Sequence, residues 1–160
     1  MSPKRILFVC TGNSCRSVMA QGLMQRLVEQ AEMDNVLVES AGVYAVSGMP
    51  ASRETQRVLQ NIGVDCSNHR ARLLTPEMIR QADFLFAMEL FQLEAIIHRE
   101  PSAVDKVHLL KTYGLPLEEL PSDPSIPDPI GKPLEIYEIC FSEIARAVER
   151  IVKLLVNSGR

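Results

Sequence analysis

Tryptophan is absent from this chain, and aromatic residues make up only 5% of it, so a core has to be assembled mainly from Leu, Ile, Val, Ala and Met. Cysteine is sparse as well. The four cysteines, at 10, 15, 66 and 140, form no Cys-x-x-Cys pair and match no zinc spacing, so neither a disulfide framework nor a metal centre is expected. Free thiols in a reducing compartment are the expectation. Cys66 and Cys140 read as small buried apolar residues, and Cys140 stands among Ile139, Phe141 and Ile144. No apolar run approaches the ~20 residues needed to span a bilayer. The run after Lys4 and Arg5 covers only residues 6–9, too short for a signal-peptide core. The reading is therefore a cytoplasmic protein with no membrane partner. A basic excess is also missing. The net charge of −3 argues against a nucleic-acid surface, although Arg70 and Arg72 stand close enough to form a local anion site.

What is present is a chain of 160 residues, 46% hydrophobic and 23% charged, the size and balance of one globular domain over 1–160. Residues 5–9 form a short apolar run that suits a strand buried on both faces. After Ser17, apolar residues recur at helical spacing: Val18, Met19, Leu23, Met24, Leu27 and Val28. The first unit is thus strand, tight loop, helix. Further strands are expected at 36–41, 84–87 and 106–109. Helices are expected at 52–60, with Ser52 as N-cap and Gly63 beyond its end, from Thr75-Pro76 onward with Thr75 as N-cap, and at 90–98. Residues 112–133 then hold six of the ten prolines, a density that leaves little regular structure. Such a long loop is expected to be functional or mobile. A final amphipathic helix runs over 134–155, with Ile136, Ile139, Cys140, Ile144, Ala147, Val148, Ile151, Leu154 and Leu155 on its apolar side. Alternating strands and helices predict an α/β fold with a parallel sheet and right-handed crossovers. Ligands of such sheets bind at the carboxyl ends of strands, where the loop beginning at Cys10 lies.

That loop reads Cys10-Thr11-Gly12-Asn13-Ser14-Cys15-Arg16-Ser17. Between a strand and a helix, it can turn its N–H groups inward as an anion nest, and the helix beginning near Ser17 adds its positive end. Arg16 offers a planar fork to two oxygens of a phosphoryl group. Gly12 is expected to allow the tight turn, and Asn13 to accept left-handed backbone angles. The same positive field favours the thiolate of Cys10, the nucleophilic form, which beneath a bound phosphorus can displace a leaving group. Ser17 can donate its hydroxyl to that thiolate. The leaving group then needs an acid, and the proline-rich loop supplies two aspartates, Asp123 and Asp128, each followed by proline. Asp128 is preferred because Gly131 and the long helix follow at once, with Asp123 as the fallback.

These residues resemble the low-molecular-weight protein tyrosine phosphatases almost from end to end. The segment from Val9 through Ser17 to Met19-Ala20 is similar to that family's N-terminal signature. Ser40-Ala41-Gly42 is similar to the motif after its second strand. Gly63-Val64-Asp65, His69-Arg70-Ala71-Arg72 and Leu73-Leu74-Thr75 resemble its middle motif, the segment from Ala82-Asp83 to Met88 its next strand, and Asp128-Pro129 its general-acid motif. The resemblance implies a four-stranded parallel sheet with helices on both faces. It implies Cys10 as nucleophile, Arg16 as transition-state clamp and Asp128 as acid then base, with no cofactor. It implies a hydrogen-bonded network of Asn13, Ser17, Ser40 and His69 around a phosphate-binding loop that includes Thr11, Gly12, Ser14 and Cys15. Its partner would be a phosphorylated protein, and the enzyme a monomer or weak homo-oligomer.

The chain departs from the pattern at Val18, where proline is usual, and at Gln21, where glutamate is usual. Altered packing rather than lost chemistry is expected there. Ile130-Gly131 follows Asp128-Pro129 without the aromatic residue of many tyrosine-specific members, and Ser14 replaces a larger apolar residue. A hydroxyl residue at that position resembles a bacterial branch acting on phosphoarginine. Phosphotyrosine is the first substrate reading and phosphoarginine the alternative. An arsenate reductase is disfavoured because no cysteine lies between 66 and 140, and a non-catalytic phosphate-binding module because Cys10 and Asp128 are both present. Oxidation is expected to join Cys10 reversibly to Cys15.

Overall fold

The computed structural model describes residues 3–158. Strand β1 (Lys4–Cys10) lies inside a four-stranded parallel sheet of order β2-β1-β3-β4, with β2 (Val36–Gly42), β3 (Phe84–Ala87) and β4 (Val107–Leu109). Among the described residues, five α-helices connect or cover it: α1 (Arg16–Gln30), α2 (Arg53–Gln60), α3 (Pro76–Gln81), α4 (Leu90–Arg99) and α5 (Leu134–Ser158). The α/β fold inferred from alternation is therefore present. No helix among the described residues is long and apolar enough to cross a membrane.

The period of two along β1 explains its unbroken apolar run. Ile6, Phe8 and Cys10 face a core shared with Val18 and Met24 of α1, Leu59 of α2 and Ile144 and Val148 of α5. Leu7 and Val9 face the opposite core, with Ile79 of α3 and Ile96 of α4. A strand with both faces buried has no polar side to alternate with. In register, Cys10 lies opposite Gly42, so the two carboxyl ends stop side by side.

Helix signals proved local and readable. The Ser52 hydroxyl caps α2 by accepting the Thr55 N–H at 3.2 Å, and the Thr75 hydroxyl caps α3 by accepting the Met78 N–H at 3.2 Å, with Pro76 in the first turn. Gly63 takes a left-handed φ of 77° just beyond α2. The apolar stripe of α5 is narrower than expected. Tyr137, Cys140, Ile144, Ala147, Val148 and Ile151 are buried, whereas Ile136, Ile139 and Leu154 are 40%, 58% and 43% exposed. Neighbouring positions on a helix point about 100° apart, so a face that buries Tyr137 and Cys140 turns Ile136 and Ile139 away.

The proline-rich segment between β4 and α5 is anchored rather than loose. It contains one short 3-10 turn, Leu117–Glu119. Ile126 is fully buried, and its N–H donates to the Met88 carbonyl at 2.9 Å. That contact carries the segment back to the end of β3, beside the loop that follows β1.

Candidate active site

The residues 10–17 join β1 to α1 at the carboxyl edge of the sheet. The turn is made by Asn13, which has a left-handed φ of 54° and is completely buried. Asparagine tolerates that conformation because its side chain can replace lost backbone partners. Here the replacement is complete. Its Nδ2 donates to Ser17 Oγ at 2.8 Å and to Ser40 Oγ at 2.9 Å, and its Oδ1 accepts the Arg72 N–H at 2.9 Å. Its main-chain carbonyl is 2.8 Å from His69 Nε2, which is therefore the protonated ring nitrogen.

Gly12 does not carry the turn. It lacks a positive φ, and an added Cβ would meet only Ser14 Oγ at 3.6 Å, an ordinary contact. The close approach lies instead at Gly42, where a Cβ would stand 2.5 Å from the Thr11 carbonyl oxygen and 2.9 Å from the Asn13 nitrogen. Strand β2 passes beneath the loop at that point. The chain beyond it then follows the loop closely: Val43 N–H donates to the Cys10 carbonyl, Tyr44 N–H to the Thr11 carbonyl and Ser52 N–H to the Ser14 carbonyl, at 2.9, 3.0 and 3.1 Å.

Cys10 is buried, with its Sγ 3.0 Å from Ser17 Oγ. Because the Asn13 amide already occupies an acceptor site on that oxygen, the Ser17 proton is free to point at the sulfur. The network extends to Ser40, whose hydroxyl donates to Gln21 Oε1 at 2.5 Å. Glutamine at position 21 therefore supplies an acceptor just as a carboxylate would, and Val18 packs into the core under α1.

Arg16 is the largest of the fully buried side chains. Its Nη1 donates to Glu89 Oε2 and to the Ile126 carbonyl, both at 2.8 Å, and its Nη2 lies 3.4 Å from Thr11 Oγ1 and 3.5 Å from Asp128 Oδ2. Burial works against its charge, but Cys10, Glu89 and Asp128 together hold the guanidinium above its ordinary value. Its Nε is buried without a hydrogen-bond partner among the described residues. A buried N–H in that position costs stability unless an acceptor meets it, and an oxyanion over the loop is such an acceptor.

The two aspartates separate cleanly. Asp123 accepts both the N–H and the hydroxyl of Ser125, at 3.0 and 2.6 Å, and these bonds lower its titration. Among the described residues, Asp128 accepts only the Ile130 N–H at 3.1 Å with one oxygen, and its other oxygen faces Arg16. Ile130 behind it is 59% exposed. Cys15 Sγ is 3.6 Å from the Tyr137 hydroxyl and donates to Ser52 Oγ at 3.5 Å. Burial pushes the Cys140 thiol up to about 12, and burial also raises half-buried Cys66. Among the described residues no cluster suits a metal ion. Arg70 Nη1 donates to the Ser67 and His69 carbonyls, and Arg72 Nε and Nη2 donate to the Ser40 carbonyl.

Three contributors escaped the reading by residue type: Glu89, Gln92 and the carbonyl of Ile126. Glu89 and Gln92 carry the spacing of a helix-capping pair, a signal that was available. A backbone carbonyl carries none.

The family profile described as "Low molecular weight phosphotyrosine protein phosphatase" matches residues 5–159. A protein-arginine-phosphatase of Geobacillus stearothermophilus is 37% identical over 153 residues, covering 96% of this chain and 97% of the relative. A probable low molecular weight protein-tyrosine-phosphatase, EpsP, of Ralstonia nicotianae is 36% identical over 146 residues, covering 91% and 92%. The crystal structure of a low molecular weight protein tyrosine phosphatase from T. tengcongensis superposes with a TM-score of 0.83 at 35% identity, covering 94% of this chain and 98% of the other.

Proposed function

The chain belongs to the low molecular weight phosphotyrosine protein phosphatase family, and on that premise we propose that it hydrolyses phosphotyrosine in proteins through a cysteinyl-phosphate intermediate. The observation that carries this is the convergence of Cys10 Sγ, the unpartnered Nε of buried Arg16 and the Asp128 carboxyl at one sheet edge. A phosphoryl group resting on the N–H groups of residues 11–16 lies above the Cys10 sulfur. The thiolate attacks phosphorus, the S–P bond forms, and the P–O bond to the leaving group breaks. Asp128 gives its proton to the departing oxygen. Water then attacks the thiophosphate, Asp128 takes its proton, and the S–P bond breaks to release inorganic phosphate. Arg16 spreads across the equatorial oxygens, and the Ser17 hydroxyl steadies the sulfur as it leaves. Ser40 and His69 act on Asn13 and so hold the loop. All four cysteines are free thiols, which supports a reducing, cytoplasmic setting.

A second reading, phosphoarginine in place of phosphotyrosine, is favoured by Ser14 in the loop and by aliphatic Ile130 after Asp128-Pro129. The arginine phosphatase relative supports it as well. Kinetics on phosphotyrosine and phosphoarginine peptides, side by side, test both. Wild type is expected to release phosphate from the phosphotyrosine peptide, and Cys10→Ser to release none. Wild-type turnover by Cys10→Ser would overturn the nucleophile assignment. If Ser14 selects the substrate, Ser14→Ile raises the preference for phosphotyrosine by about tenfold or more, the discrimination available from filling an apolar pocket. An unchanged ratio would remove Ser14 from that role.

A further inference from the structure

Gln92 is a fully buried polar side chain on α4, outside the loop of residues 10–17. Its carboxamide is oriented by chemistry. Oε1 receives the Met88 N–H at 2.8 Å and the Glu89 N–H at 3.0 Å, two donors that only the oxygen can accept. The NH2 group therefore faces Thr11, and Nε2 donates to Thr11 Oγ1 at 3.1 Å. That same oxygen lies 3.4 Å from Arg16 Nη2. Glu89, whose N–H the amide holds, accepts Arg16 Nη1 at 2.8 Å.

One buried amide thus fixes both flanks of the guanidinium. On the Nη2 side it aligns the Thr11 oxygen, and on the Nη1 side it fastens the turn that carries the Glu89 carboxylate. Neither partner is held as firmly without it. The Thr11 hydroxyl, freed of its donor, can rotate to another staggered position. The turn at Met88-Glu89 loses a cap on two N–H groups. Burial also makes the amide costly to leave half satisfied, so it takes this one arrangement.

We propose that Gln92 is a positioning residue for catalysis: through Thr11 and Glu89 it sets the plane of the Arg16 guanidinium, and so the complementarity of the site to the trigonal-bipyramidal phosphoryl group. The inference rests on the phosphatase reading above. Arg16 bonds that tighten only in the transition state affect kcat more than ground-state binding. A small misplacement of such a group lowers the rate by roughly ten- to a hundredfold.

The test is a double-mutant cycle of Gln92→Met and Thr11→Val on the full chain. Steady-state kinetics with p-nitrophenyl phosphate, inhibition by inorganic phosphate and by orthovanadate, and thermal unfolding are measured for each. Each single variant is expected to lose about ten- to a hundredfold in kcat with KM within about threefold of wild type. Affinity for vanadate, which takes the five-coordinate geometry, falls in parallel with kcat, while affinity for phosphate changes by less than about threefold. The double variant is expected to be no slower than Gln92→Met alone, because the path through Thr11 is already cut in that variant. A lower melting temperature with wild-type kcat and a wild-type ratio of vanadate to phosphate affinity would make Gln92 merely structural. Losses that multiply in the double variant would also overturn the path through Thr11. If Gln92→Met fails to fold, Thr11→Val decides alone, and wild-type kcat and vanadate affinity in that variant reject the proposal. An active wild type with indifferent variants defeats only this inference. A wild type that neither turns over nor binds vanadate defeats the phosphatase reading beneath it.

Discussion

Single atoms decide the shape of the loop formed by residues 10–17. Asn13 uses every polar atom of its side chain, and Ser17 passes that order on to the Cys10 sulfur. The most restrictive position, however, is a residue with no side chain. At Gly42 a methyl group would meet the Thr11 carbonyl at 2.5 Å and the Asn13 nitrogen at 2.9 Å. Both are backbone atoms, so no rotamer change relieves the contact. Gly42→Ala is expected to lose about 1–3 kcal/mol of stability from overpacking, read by urea unfolding, and to lower kcat at least tenfold as the loop is displaced. Retention of wild-type kcat would show that the loop tolerates the shift. At this scale the sequence was only partly legible. Glycine at 12 invited the expectation of a tight turn, yet the close approach came from a strand that is distant along the chain.

Elements were legible where their signals are local. The caps of α2 and α3, and the two-sided burial of β1, follow from residue types within a few positions. The α5 stripe was less so, because Ile136 and Ile139 are as apolar as the residues that α1 covers. What selects the buried face is the pair Tyr137 and Cys140: Tyr137 reaches Cys15, and Cys140 Sγ donates to the Pro127 carbonyl at 3.9 Å. Ser52 joins these scales, since its hydroxyl caps α2 and accepts from the Cys15 thiol while its N–H holds Ser14. Ser52→Ala is expected to cost about 1 kcal/mol from the lost cap, measured by urea unfolding. A loss of a few tenths or less would mean that another group satisfies the first turn.

For the whole molecule, pH links the site to stability. Desolvation by burial lowers the His69 titration below its ordinary value, and Arg72 and Arg70 add to that effect against the opposing bond to Asn13. Burial lowers His108 in the same direction. A histidine whose folded pKa is depressed takes up its proton first in the unfolded chain. Its stabilising contribution is therefore complete above the unfolded value near 6.5 and is lost as pH falls through the window beneath it. Urea unfolding from pH 7.5 to 5.5 is expected to show falling stability, with a shallower slope in His69→Gln. An unchanged slope would assign the whole effect to His108 and other groups. The sequence alone determined the order of strands and helices and singled out residues 10–17 and Asp128 as the candidate site, because hydrophobic period, turn chemistry and motif spacing are written in neighbouring residues. Only the tertiary structure decided what surrounds Arg16. Glu89, Gln92, Ile126 and Gly42 reach the site from other strand ends and loops. Their roles depend on distances across the sheet, which no local pattern encodes.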